Sequence, residues 1–227
     1  MTDVKFRDDV SVELVDWMGD EASIVRTARV STLGTQSEAR ENEGLVKFLY
    51  REGHGTPFES NVATFRFEVP VFVSRQIVKH RLSSINEESG RYKELEPVFY
   101  VPSKDRRVSQ TGKTGDYVFL RNDDLNDSAR DAIEISSEDT WYAYEAMLEQ
   151  GVAKEVARMV LPVNIYSTIY MTANLRSWLN FVQLRTPESG SHPQHEIALV
   201  GYEVAKQIQE RVPTVWQAFV DSGYKAV

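Results

Sequence analysis

The chain has 227 residues, of which 41% are apolar and 11% aromatic, enough to bury a sizeable core and too much for a disordered polymer. Its 26 basic and 34 acidic side chains give a net charge of −8, the wrong sign for a general nucleic-acid binder. Cysteine is absent, which excludes disulfides, cysteine zinc sites, iron–sulfur clusters and a thiolate nucleophile.

The opening residues Met1-Thr2-Asp3-Val4-Lys5-Phe6-Arg7 are polar and charged, without the apolar stretch of a secretory signal, so a cytoplasmic protein is expected. Residues 12–17 alternate as a strand. Asp20 is placed to cap a helix over 21–30, and Ser37 to open a second, in which Leu45, Val46, Phe48 and Leu49 share a side and Gly53 ends the run. Residues 61–69 set Ala63, Phe65, Phe67 and Val69 on one face against Val62, Thr64, Arg66 and Glu68, as in a half-solvated antiparallel strand. Pro70 begins a helix reaching His80. Residues 82–91 lose the apolar pattern and read as a polar loop, followed by a short strand over 98–101. Residues 103–126 carry little pattern and read as a mobile loop.

A helix is expected over 127–150, ended by Gly151, then a shorter one through Val156 and Met159, then a strand over 164–172. The uncharged run 159–175 is broken by Pro162, Asn164, Ser167, Thr168, Thr172 and Asn174, and reads as core rather than a bilayer span. Asn174 can cap a helix over 175–184. A last long helix follows His195, with Ile197, Val200, Val204, Ile208 and Val212 three or four apart. These elements predict a single α+β domain over 1–227, an antiparallel sheet packed by helices.

Three motifs fail. Thr111-Gly112-Lys113-Thr114 has Arg107 where a P-loop needs its first glycine. No G-x-G-x-x-G occurs, so no Rossmann dinucleotide site is expected. His192, His195 and Glu196 could ligate a metal, but no further ligand cluster accompanies them, and no metal is expected.

The informative stretch runs from Gln76 to Tyr92. Lys79, His80 and Arg81 follow a helix, where cations suit the dipole without any ligand. Ser83, Ser84, Asn86, Glu87, Ser89 and Arg91 then crowd hydrogen-bonding groups into nine positions. Guanidinium forks suit phosphate, and Ser, Asn and Glu can read a base edge, so a site for an anionic ligand is indicated.

This stretch resembles the signature R-H-R-x-x-S-x-N-E-x-S-x-R-Y of the flavin-dependent thymidylate synthases. His80, Arg81, Ser84, Asn86, Glu87, Ser89, Arg91 and Tyr92 match, and Lys79 stands where the family has arginine. Further blocks in family order are Ala28-Arg29-Val30-Ser31, Gly53-His54 with Thr56-Pro57-Phe58-Glu59, Glu155-Val156-Ala157-Arg158, Asn174-Leu175-Arg176-Ser177 and His192-Pro193-Gln194-His195-Glu196-Ile197. Two other departures are a longer 186–191 segment and His195 where an aromatic is common.

The resemblance implies reductive methylation of dUMP to dTMP, with 5,10-methylenetetrahydrofolate as carbon donor and FAD, reduced by NADPH, as hydride carrier. It implies a homotetramer with sites shared between subunits, and no nucleic acid or membrane partner. Gln76, Lys79, Glu87, Ser89, Gly90, Arg91 and Arg158 would bind substrate, Arg158 from a neighbouring subunit. Ser31, His54, Thr56, Lys79, His80, Arg81, Asn86, Glu87, Asn174, Arg176 and Asn180 would contact FAD. Arg185 would lie by the uracil ring as the catalytic residue, stabilising charge pushed onto a ring carbonyl. A chain without thiol fits a route in which the cofactor, not a cysteine, carries the hard step. The alternatives are a flavin or nucleotide binder without methylation activity, a metal-dependent hydrolase using His192, His195 and Glu196, and an RNA-binding module using the 79–91 loop.

Overall fold

The computed structural model describes residues 3–34, 42–113 and 116–227. They form two compact units, each assembled from separated stretches: 1–9, 68–74 and 87–168 in the first, 10–67, 75–86 and 169–227 in the second.

The strand pattern sets the second unit. The strands are β1 (Lys5–Arg7), β2 (Ser11–Met18), β3 (Val62–Pro70), β4 (Ser84–Glu87), β5 (Val98–Tyr100), β6 (Ser109–Lys113), β7 (Asp116–Leu120) and β8 (Tyr166–Asn174). A four-stranded sheet in the order β2-β3-β8-β4 belongs mostly to this unit. β3 buries Ala63, Phe65, Phe67 and Val69 and leaves the alternate residues half-buried, as its two-residue period requires. On the polar face the hydroxyls of Thr64 and Thr172 meet at 2.8 Å.

Helices cover the apolar face. α1 (Glu21–Leu33) starts where expected, with the Asp20 carboxylate accepting from the Ser23 amide at 2.7 Å. α2 (Glu43–Arg51) is capped by Asn42 instead, while Ser37 lies outside the described residues. α3 (Val71–Ile77) is shorter than predicted. The Lys79 and His80 amides bond three residues back, to Gln76 and Ile77, so the chain tightens and leaves the helix.

The remaining helices are α4 (Asp123–Glu149), α5 (Lys154–Ala157), α6 (Leu175–Arg185), α7 (His195–Arg211) and α8 (Pro213–Asp221). α6 packs on α7 and α2 on α8. Trp178 of α6 stacks edge-on against Phe65 at 4.8 Å and donates its indole N–H to the Ala63 carbonyl. All five periodic apolar residues of 197–212 are fully buried. The run breaks at Pro213, which takes the first position of α8, a helix the sequence pattern did not mark.

In the first unit β1 pairs parallel with β5, an exception to the all-antiparallel expectation. Phe99, Trp141, Tyr144, Ala157 and Ile165 form its core. Residues 103–126 are not the expected loop: they hold the antiparallel pair β6–β7 and the start of α4, capped by Asn122. The hairpin is mostly exposed, so apolar alternation never marked it. Gly112 there has φ +111, and a Cβ would stand 2.4 Å from the Asp116 carbonyl oxygen, so that glycine serves the hairpin rather than a phosphate. The predicted 82–91 loop likewise contains β4, exposed at every position and hydrogen-bonded along its backbone to β8.

Candidate active site

In the second unit the end of β8 delivers the chain into α6 through Asn174, whose Oδ1 accepts the Ser177 amide at 2.9 Å. The cap aims α6 so that Arg176, Asn180, Gln183 and Leu184 face one cavity of about 800 Å³. Lys79, His80, Arg81 and Leu82, from the turn after α3, line it too, with Glu59, Ala226 and Val227. Seven of the expected site residues therefore share one wall: Lys79, His80, Arg81, Asn174, Arg176, Asn180 and Arg185.

Lys79, Arg81, Arg176 and Arg185 line the cavity with one acidic side chain, Glu59. In an acidic chain this is a local reversal of sign suited to an anionic ligand. Arg176 donates from Nη1 to Glu59 at 2.9 Å and from Nε to the Val227 carbonyl at 2.7 Å. Gly55 lies beneath it: a Cβ there would sit 2.7 Å from the guanidinium carbon. The donor set of cations and amides beside apolar Leu82, Leu184, Ala226 and Val227 fits a dinucleotide with a charged pyrophosphate and flat rings.

Arg185, the last residue of α6, is tied down. Its Nε donates to His80 Nε2 at 3.0 Å, its Nη2 to the Gln76 carbonyl at 3.1 Å, and its Nη1 approaches Gln76 Oε1 at 3.5 Å. The His80 ring packs on Phe181 at 4.6 Å. Burial, and then the neighbouring Arg185 charge, push the imidazole down to about 4. Burial also lowers Arg185 from the ordinary guanidinium value.

Ser31, His54, Thr56 and Asn86 also belong to the second unit but do not line this cavity. Ser31 bonds the Ala28 carbonyl, His54 stacks with Phe48, and Asn86 is exposed on β4. Thr56 opens the 3-10 turn Thr56–Ser60 that carries Glu59. Sequence reasoning missed Glu59 and Gln183, which line the cavity, Gly55 beneath Arg176, and Gln194, whose Oε1 accepts from Gln76. Glu59 and Gln194 sit inside the quoted family blocks, whereas Gln183 had no signal beyond its place on the α6 face.

The other expected substrate residues, Glu87, Ser89, Gly90, Arg91 and Arg158, lie in the first unit. Glu87 accepts from Ser167 at 3.0 Å. Ser89 anchors a turn, its carbonyl accepting from the Tyr92 amide at 3.1 Å. Gly90 is buried, and a Cβ on it would press to 3.2 Å from Arg158 Cδ, so the glycine lets Arg158 lie against that turn. Arg91 pairs with Glu155 at 3.0 Å, both about half exposed, an ion pair weak enough for a phosphate to replace. Among the described residues, no group of three or more His, Cys, Asp or Glu comes together to hold a metal, so the hydrolase alternative lacks its centre. No described helix is long and apolar enough to cross a membrane.

Comparison with known proteins identifies the family. The model of the family "Thymidylate synthase complementing protein" matches residues 13–214. A flavin-dependent thymidylate synthase of Streptomyces avermitilis is 42% identical over 230 residues, covering 96% of this chain and 94% of its own. Another, of Tropheryma whipplei, is 40% identical over 234 residues, covering 97% and 96%. The crystal structure of the UMP/dUMP methylase PolB from Streptomyces cacaoi, bound with 5-Br dUMP, is similar with a TM-score of 0.93. That likeness is at 37% sequence identity and covers 99% of this chain and 100% of the other.

Proposed function

The chain belongs to the family of flavin-dependent thymidylate synthases, and from that premise we propose that it converts dUMP to dTMP. 5,10-Methylenetetrahydrofolate gives the carbon, NADPH gives the electrons, and tetrahydrofolate and NADP⁺ leave. The observation that carries the proposal is the convergence of Lys79, His80, Arg81, Asn174, Arg176, Asn180 and Arg185 on one cationic cavity.

FAD, when bound, would supply the hydride, a role that calls for no protein thiol. Arg81, Arg176, Asn174 and Asn180 would hold it, with Lys79 as a point charge where a planar fork would give two bonds. Asn174 spends its oxygen on the α6 cap and keeps its amide N–H groups for the ligand. Arg91 and Arg158 bind the substrate phosphate, and Glu87, Ser89 and Gly90 line the nucleotide. Arg185 donates to a uracil carbonyl and stabilises the negative charge that makes C5 nucleophilic. Arg185 stays charged, and its partial burial, which lowers its pKa from the ordinary guanidinium value, leaves that charge less screened than in open water.

The enzyme works in the cytoplasm as a homotetramer, Arg158 serving a neighbour's site. The apolar surface beside the site residues supports assembly: Met159 next to Arg158 and Leu82 next to Arg81 are 77% and 83% exposed in the single chain. A second substrate, UMP, is favoured by the likeness to a methylase named for both nucleotides.

The test incubates purified protein with FAD, NADPH, methylenetetrahydrofolate and either dUMP or UMP. Formation of dTMP with tetrahydrofolate is expected, and methylated UMP decides the second reading. A protein that binds flavin and dUMP yet forms no dTMP is the non-methylating binder instead.

A further inference from the structure

A side chain closing a helix swings freely unless something holds it. Arg185 is held at three points: His80 Nε2, the Gln76 carbonyl and Gln76 Oε1. Gln76 is fixed in turn, its amide N–H donating to Gln194 Oε1 at 2.6 Å. A guanidinium has five N–H groups, so these commitments leave one on each Nη for the cavity Arg185 lines.

The His80 contact differs in kind from the two to Gln76. Arginine keeps its protons, so Nε2 must be the acceptor, which requires an uncharged imidazole carrying its hydrogen on Nδ1. Phe181 of α6 supports the ring from the same helix that ends in Arg185. The acceptor and the cation it holds thus share one packed element, and a shift of either is felt by the other.

We propose that His80 is a positioning residue for Arg185: as a neutral acceptor it fixes Nε and so directs the two spare Nη N–H groups onto the pyrimidine ring of the substrate. This rests on the reading of Arg185 given above. It adds to that reading a role in nucleotide chemistry for a residue the family resemblance assigns to the flavin.

The test is a cycle of wild type, His80→Phe, Arg185→Ala and the double variant, with His80→Gln and His80→Asn alongside. Phenylalanine keeps the packing on Phe181 and removes the acceptor. Glutamine can place an amide oxygen where Nε2 stood, and asparagine reaches only as far as Nδ1. Flavin content, dUMP affinity by calorimetry, kcat and KM are measured for each. His80→Phe is expected to lower kcat roughly a hundredfold, the scale of a misaimed catalytic group, with flavin content and KM little moved. The double variant should be no slower than Arg185→Ala, and His80→Gln should recover most of the loss.

Multiplying losses in the double variant, a glutamine no better than phenylalanine, or a defect confined to flavin content would each overturn the proposal. Where His80→Phe does not fold, the contrast of glutamine with asparagine decides. A wild type that forms no dTMP removes the functional reading and the nucleotide role of His80 with it, and the His80–Arg185 contact alone is then read from urea unfolding of the same four proteins. Non-additive stability of the pair upholds the contact, and additive changes refute it.

Discussion

Arg185 is a cation at a helix C-terminus, which on its own would be worth a few tenths to about 1 kcal/mol of dipole interaction. Its three bonds to His80 and Gln76 exceed what that role needs. Arg185→Ala should therefore keep the fold and flavin yet lower kcat by about a hundredfold to a thousandfold at saturating dUMP, as for loss of an oxyanion donor. Near-normal turnover would refute the assignment. His80 gives the pH counterpart. Its ring is held neutral down to about 4, against an ordinary 6.5, so the unfolded chain takes up the proton first. The stability this neutral preference gives is complete above about pH 6.5 and declines as pH falls towards 4. Burial first and then the Arg185 charge oppose protonation of the ring. Urea midpoints should thus shift against wild type, relative to His80→Gln, between those two pH values; a constant gap would contradict the pH effect.

At the scale of elements, α6 and the turn before β3 do most of the positioning. Gly55 has φ −71 and ψ −33, a backbone any residue adopts, so its lack of a side chain serves Arg176 rather than the turn. Gly55→Ala should leave the protein as stable or about 0.4–1 kcal/mol more so, by restricting the unfolded chain. Flavin affinity, read by fluorescence titration, should fall by about tenfold as Arg176 is displaced, the worth of one charged hydrogen bond. Unchanged affinity would remove Arg176 from the flavin site. Asn174 separates cap from ligand in the same way. Asn174→Ala should cost about 1 kcal/mol of stability, whereas Asn174→Asp keeps the cap and weakens only flavin binding. Equal melting temperatures for the two would show that the cap contributes nothing. The caps Asp20 and Asn174 and the alternation of β3 were legible because each is a local rule written in neighbouring residues. β4 and the β6–β7 pair were not, since exposed strands are held by backbone bonds that leave no apolar period. The α7–α8 break was hidden because Val212 continues the buried stripe to the residue before Pro213. The cavity draws on Glu59, residues 79–82, α6 and residues 226–227, and no periodicity links such distant stretches. The polar crowding of residues 76–92 indicated an anionic site, and only the family resemblance, in that stretch and in the 174–177 block, joined it to α6.

For the whole molecule, the acidic total and the cationic cavity serve different ends, solubility and capture of anions. The phosphate-binding Arg158 and the ring-binding Arg185 are read as coming from different subunits. Arg158→Ala and Arg185→Ala proteins, each nearly inactive, should then regain activity when unfolded together and reassembled, because some mixed tetramers hold a site with both arginines. Mixtures as inactive as their parents would place both residues in one chain's site. The most direct measurement of the central claim is a single turnover without oxygen. Protein carrying NADPH-reduced flavin is mixed with dUMP and methylenetetrahydrofolate, and flavin absorbance and dTMP are followed together. Equal amounts of reoxidised flavin and dTMP are expected. A colourless protein that takes up no FAD, or flavin that reoxidises without thymidylate appearing, would contradict it.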